Sequence, residues 1–152
     1  VYPHPIAFNA LPHIGPFEDT GYSDEETKVI NETKKMLGMP DLAVSATCVR
    51  VPVLNGHSES IQIETRDKIT AEAARELLAK APGITVLDGR ADGAYPTAVT
   101  EAARRDDVFV GRIREDISHP RGLDLWVVAD NVRKGAALNS IQIAEILVKS
   151  YL

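Results

Sequence analysis

Residues 107–130 read DVFVGRIREDISHPRGLDLWVVAD. Two runs rich in Val, Ile, Leu, Phe and Trp flank the polar connection DISHPR. β-Branched and aromatic side chains suit a pleated, half-buried surface, so the stretch predicts two strands, DVFVGRIRE and GLDLWVVAD. Upstream, ITVL at 84–87 predicts a short strand. In 57–64, Ile61 and Ile63 alternate with Gln62 and Glu64, which predicts another. LAVSATCVRV at 42–51 is a β-branched run and predicts a strand that PVLNG turns into the one at His57. Such a hairpin carries Arg50 and His57 to one rim.

Helices fall between these strands. Ser23 and Glu26 fit a capping box, and Gly38 with Pro40 closes the run, so a helix is predicted from Asp24 to Leu37. Its predicted buried stripe is Val29, Ile30, Thr33, Met36 and Leu37. Thr70 caps a second helix, AEAARELLAKA, which Pro82 and Gly83 stop. GAYPTAVTEAAR is predicted as a loop with a short helix, and 134–151 as the longest helix, with Ala137, Ile141, Ala144 and Leu147 or Val148 on its apolar stripe. Residues 1–22, rich in Pro, His and Gly, read as an irregular entry. Without repeats or linkers, the chain is expected to be a single α+β domain, 1–152: a mixed, largely antiparallel sheet with helices on one face. The other face then needs a cover, and a symmetric copy docking through an extensive apolar sheet face suits it.

Composition narrows the function. With 44% hydrophobic and 26% charged residues, the chain has the make-up of a soluble globular domain, and no apolar run nears the roughly 20 residues of a membrane span. The net charge of −5 comes without a basic stripe, which speaks against a nucleic-acid partner. One cysteine excludes an internal disulfide and fits a reducing, cytoplasmic compartment. The chain opens on Val1 rather than methionine, as a processed chain or a piece of a longer one does.

Three polar groups are candidates for chemistry: Arg50 with His57, Glu25 with Lys28, and Asn131 to Lys134. Arginine grips a carboxylate or phosphate through two parallel hydrogen bonds, and histidine exchanges protons near neutrality. Together they suit a small anionic substrate. The plainer reading makes Arg50 an edge residue, His57 solvated, Glu25–Lys28 a helix-surface pair and NVRKG a helix cap. Cys48, inside an apolar strand pattern, reads as a small buried hydrophobe. No two glycines stand two apart, so the dinucleotide turn G-x-G-x-x-G is absent, and four dispersed histidines give no metal spacing.

PIAFNALPHIG, SDEETKVINETKKMLG, VSATCVRVPVLNGHSESIQIE, VFVGRIRED and LDLWVVADNVRKGAALNSIQIAEIL, in this order, resemble bacterial aspartate-semialdehyde dehydrogenase, specifically its C-terminal dimerisation and catalytic domain. The resemblance spans nearly the whole chain. It implies a glyceraldehyde-3-phosphate dehydrogenase-like C-terminal domain of a two-domain enzyme, without the N-terminal cofactor-binding domain. The implied reaction is NADP-dependent reductive dephosphorylation of aspartyl phosphate to aspartate semialdehyde, serving lysine, methionine, threonine and diaminopimelate biosynthesis. By position, Arg50 matches the clamp on the substrate carboxylate, His57 the acid/base, Glu25 the partner of the substrate's amino group and Lys28 a phosphate ligand. Asn131 matches an asparagine near the nicotinamide. The family's nucleophilic cysteine and glycine-rich loop lie in the N-terminal domain, and Cys48 does not match that cysteine. The chain alone is therefore expected to be inactive, to dimerise, to work with that domain and to need no metal. The alternative is a dimerisation or binding module that keeps the fold without the chemistry.

Overall fold

The computed structural model describes residues 2–152, which divide into two compact units, Val1–Pro52 and Val53–Leu152.

The first unit is built around α1, Asp24–Leu37, whose bounds match those expected. Three acids in its first turn and Lys34 and Lys35 in its last complement the helix dipole. Glu26, at the third helical position, turns back so that Oε2 accepts the Ser23 N–H at 2.8 Å. At the other end Gly38 adopts a left-handed φ of +63°, and the Met39 N–H reaches the Lys34 carbonyl. The expected stripe is covered only in part: Ile30 and Thr33 are half-buried, Val29, Met36 and Leu37 are exposed, and Glu26 is the helix's one buried residue.

Residues 42–51 depart most from expectation. Leu42, Val44, Ala46, Cys48 and Arg50 are half-buried and the residues between them exposed, so the alternation is real. Yet they form no ladder. Their isolated pairing is Arg50 with Leu11, through two backbone hydrogen bonds of 2.9 Å. The Leu42 N–H turns back to the Met39 carbonyl at 3.1 Å, and a side chain supplies a further tie: Glu26 Oε1 accepts the Cys48 N–H at 2.8 Å. A period of two records which side chains face inward, and a carboxylate here takes the place of a neighbouring strand.

The second unit holds a four-stranded sheet of β1 (His57–Glu64), β2 (Ile84–Val86), β3 (Val108–Glu115) and β4 (Gly122–Ala129), ordered β1-β4-β3-β2. β4 runs antiparallel to both β1 and β3, and β2 runs parallel to β3. The expected mixed, largely antiparallel sheet is present, but β1 pairs with β4 along its length rather than closing the predicted hairpin.

Helix α2, Ala71–Ala79, starts where the Thr70 hydroxyl accepts the Ala73 N–H. Its Ala74 packs with Val110, Ile113 and Leu123, flanked by Ile69, Leu78, Ile84 and Val86. Ile113 and Leu123 are at most 1% exposed, and burying each contributes about 2 kcal/mol.

The spacing Val110 to Ile113 breaks the period of two, and a β-bulge accounts for it: the β3–β4 register shifts between Gly111 and Arg114. Arg112 there has φ +54°. A bulge strands backbone groups that must find other partners. The Ile113 N–H donates to Asp88 Oδ1 at 3.2 Å, and its carbonyl accepts from Arg75 Nη2 at 2.7 Å. Arg75 Nε also donates to the buried Asp88 carboxylate at 2.5 Å, and that contact holds the guanidinium's pKa above its ordinary value. One ion pair thus supports the bulge from the α2 side.

The opposite face is partly covered by a π-helical turn, Ala98–Ala102, capped by Thr97. Trp126 Nε1 donates to the Pro96 carbonyl, fixing this segment over β4. Beside it a concavity of about 430 Å³ includes Ser58, Ser60, Arg112, Arg114 and Trp126 in its lining. Val53, Tyr95, Pro96, Val99 and Leu125 line it as well, so the open face mixes apolar surface with these polar groups. A second π-helical turn, Arg133–Ala137, leads into α3, Leu138–Ser150. The predicted stripe of α3 is exposed, with Ile141 at 57% and Val148 at 63%.

Candidate functional site

His57 is the first residue of β1, opposite Ala129, and it is exposed. What places it is the residue before it. Gly56 has φ +94°, a region that favours glycine, and a Cβ built there would lie 2.9 Å from Ala98 Cβ and 3.1 Å from the Ala129 carbonyl oxygen. Its N–H donates to Asn131 Oδ1 at 3.1 Å. The turn entering β1 is therefore held on one side by the π-helical turn and on the other by Asn131.

Asn131 is itself fixed by its neighbour. Asp130 is 5% exposed and spends both carboxylate oxygens on backbone. Oδ2 accepts the Arg104 N–H at 2.8 Å, and Oδ1 accepts the N–H groups of Val132 and Arg133 at 2.9 and 3.0 Å. These donors, Arg104 first and Arg133 next, hold its carboxyl below the usual carboxylate range. Asp130 thus begins the second π-helical turn and also ties down Arg104, whose φ is +65°. Sequence reasoning passed over Asp130. The available signal was an Asx residue directly before a helical stretch.

The remaining expected site residues lie in the first unit. The Arg50 backbone is pinned to Leu11, and its guanidinium lies 5.2 Å from the Tyr2 ring centroid, a cation–π distance. Among the described residues the guanidinium makes no ion pair, so its donor fork is available to an anion. Lys28 Nζ meets Glu25 Oε1 at 3.2 Å across one helical turn. Both are exposed enough for the pair to contribute little to stability, about 0–1 kcal/mol. Cys48 is half-buried, and its N–H is one of the two that Glu26 accepts. Those two donors, Ser23 first and Cys48 next, hold the Glu26 carboxyl below its ordinary value. Arg50, Glu25 and Lys28 thus fall in one unit and His57 and Asn131 in the other. Among the described residues no cluster of three or more His, Cys, Asp or Glu is placed to hold a metal ion. Nor is any helix there long and apolar enough to cross a membrane.

The profile of the semialdehyde dehydrogenase dimerisation domain matches residues 1–134. The chain belongs to that family. Aspartate-semialdehyde dehydrogenase of Legionella pneumophila is 59% identical over 152 residues, which is 100% of this chain and 44% of that protein. The crystal structure of aspartate semialdehyde dehydrogenase II from Vibrio cholerae, complexed with ASA, superposes with TM-score 0.94 at 49% identity over 99% of this chain and 44% of its own. The Candida albicans enzyme with NADP gives TM-score 0.74 at 30% identity, covering 94% of this chain and 45% of that one. The chain therefore spans less than half the length of these relatives. The α+β fold and the dimerisation-domain assignment follow from these matches, as the order of the sequence blocks had implied.

Proposed function

We propose that residues 1–152 are the dimerisation and substrate-binding domain of an aspartate-semialdehyde dehydrogenase acting in the cytoplasm. The observation that carries this reading is 59% identity to such an enzyme across every position of the chain. The reaction is reversible, NADP-dependent reductive dephosphorylation of aspartyl phosphate, with the nucleophilic cysteine and most of the cofactor site supplied by an N-terminal domain of the same enzyme. The chain alone is inactive.

Within that reaction each residue does what its chemistry suits. Arg50, without an anionic partner among the described residues, clamps the substrate's carboxylate. Glu25 takes the substrate's amino group. Lys28, one helical turn away, meets phosphate. His57, exposed at the head of β1, carries protons for the thiol and the leaving phosphate. NADP supplies or accepts the hydride. Asn131 fits a contact to it: Oδ1 faces the Gly56 N–H, so Nδ2, unpartnered among the described residues, is left to donate. The dimer forms through the sheet face opposite α2, where Val53, Val99, Leu125 and Trp126 supply apolar area and Ser58, Ser60 and Arg114 supply polar groups among it.

The test uses the complete dehydrogenase containing this chain. Losing a charge-assisted bidentate contact costs about 1.5–3 kcal/mol, so Arg50→Ala raises KM for aspartate semialdehyde about 10–100-fold, and Arg50→Lys recovers only part. Lys28→Ala acts mainly on KM for phosphate. Unchanged kinetics in both variants would leave the fold as a scaffold and overturn the catalytic reading.

A further inference from the structure

We infer that Asn131 is a positioning residue for His57, acting through the Gly56 N–H, in addition to any contact with the cofactor. The inference rests on His57 being the acid/base residue proposed above.

Gly56 and Asn131 lie 75 positions apart, and the 3.1 Å bond joins the turn before β1 to the exit of β4. Asn131 has little freedom to leave. The Asp130 carboxylate accepts the N–H groups of Val132 and Arg133, just after Asn131, and that of Arg104, and the Lys134 N–H closes onto the Asp130 carbonyl. Its amide orientation is determined as well, because a backbone N–H needs an oxygen opposite it.

His57 lacks restraints of this kind. Its imidazole is exposed and has no hydrogen-bond partner among the described residues, so the backbone that carries the ring is the hydrogen-bonded part that places it. That backbone leaves the ladder at its last pair, His57 with Ala129. Immediately before it, Gly56 sits in a left-handed conformation that glycine leaves readily. The Asn131 side-chain amide oxygen, Oδ1, is the hydrogen-bonding group that holds it there. Acid/base catalysis depends on such placement: a displacement of about 1 Å at a reacting group costs about 100-fold in rate.

The test has two arms. In the 152-residue chain, hydrogen exchange at the Gly56 amide and the His57 ring resonances are compared in wild type, Asn131→Ala, Asn131→Asp and Asn131→Gln. Aspartate keeps an acceptor in place and leaves Gly56 protected. Alanine speeds exchange there about tenfold or more and shifts the His57 ring signals, while the amides of β3 and α2 stay unchanged. Glutamine, longer by one methylene, falls between. In the complete dehydrogenase at saturating NADP, Asn131→Ala lowers kcat about 10–100-fold, and Asn131→Asp restores most of it whatever its effect on KM for NADP. Wild-type exchange at Gly56 in Asn131→Ala overturns the inference, and so does a loss confined to KM for NADP with kcat retained. If the complete wild-type enzyme fails to turn over aspartate semialdehyde, the proposed function falls, and the exchange arm still decides whether Asn131 holds the turn.

Discussion

Replacing Gly56 by alanine tests the geometry around His57 most directly. Two costs add. The first is conformational: holding a residue with a Cβ at φ +94° costs about 1–2 kcal/mol. The second is contact, since the new methyl would lie 2.9 Å from Ala98 Cβ and 3.1 Å from the Ala129 carbonyl oxygen. Neither neighbour yields easily, one being on a capped helical turn and the other on sheet backbone, and overpacking of this kind costs about 1–3 kcal/mol. The sum is roughly 2–5 kcal/mol, or about 5–15 °C in Tm for a chain of this length. Gly93 is the matched control: it has φ +76° with nothing within 4 Å of an added Cβ, so Gly93→Ala carries the conformational cost alone. Urea denaturation followed by the fluorescence of Trp126, the single tryptophan, measures both variants. Equal losses in the two would show that Ala98 and Ala129 do not confine the turn. Gly56→Ala within about 0.5 kcal/mol of wild type would refute the left-handed assignment as well.

Two further perturbations address the supports beneath the site. Asp88→Ala removes the buried carboxylate partner of Arg75 and the acceptor of the Ile113 N–H and destabilises the second unit by about 3 kcal/mol in chemical denaturation, whereas exposed Glu72→Ala changes stability by less than about 0.5 kcal/mol. The Glu26 carboxyl is depressed in the folded chain, so its stabilisation is complete above the unfolded value near 4.5 and is lost as pH falls through the folded one. Glu26→Gln, which turns an NH₂ group toward one of the two N–H donors, is therefore less stable than wild type at neutral pH. The gap closes progressively below about pH 4, and a gap independent of pH from 7 to about 2 would contradict the assignment.

Local chemistry was readable wherever the signal and its partner lie within a few residues. Ser23, Glu26 and Gly38 bound α1 as expected, Thr70 starts α2, and the apolar alternation of β1, β3 and β4 gives strands within a residue or so of the predicted bounds. The failures share one cause. In 42–51 the alternation marks burial, and nothing in those ten residues says whether a strand or the Glu26 carboxylate satisfies the backbone. The α1 and α3 stripes have helical periodicity, yet most of α1's and all of α3's are exposed here, because a period locates an apolar face without supplying what covers it. The bulge at Arg112 was legible in principle. Val108 and Val110 are two apart but Ile113 is three from Val110, and a strand that keeps both Val110 and Ile113 inward must absorb the extra residue.

The candidate site turns on sheet register, which no short motif carries. NGH at 55–57 and ADN at 129–131 each look like an ordinary turn with solvated polar groups. Once His57 is paired with Ala129, the residues beyond the ladder on β4 must run past those preceding β1, and the Asn131 side chain meets the Gly56 N–H. A one-residue slip would turn Ile61 and Ile63 away from the face that Leu123 and Leu125 occupy. A two-residue slip would keep the faces but carry Asn131 about 7 Å along the strand, beyond reach of the glycine. The apolar alternation of β1 and β4 excludes the first slip, and the contact of Gly56 with Ala98 opposes the second. The pairing that buries the sheet's apolar residues is therefore also the one that aims His57, so a substitution that shifts this register should displace the imidazole before it unfolds the chain.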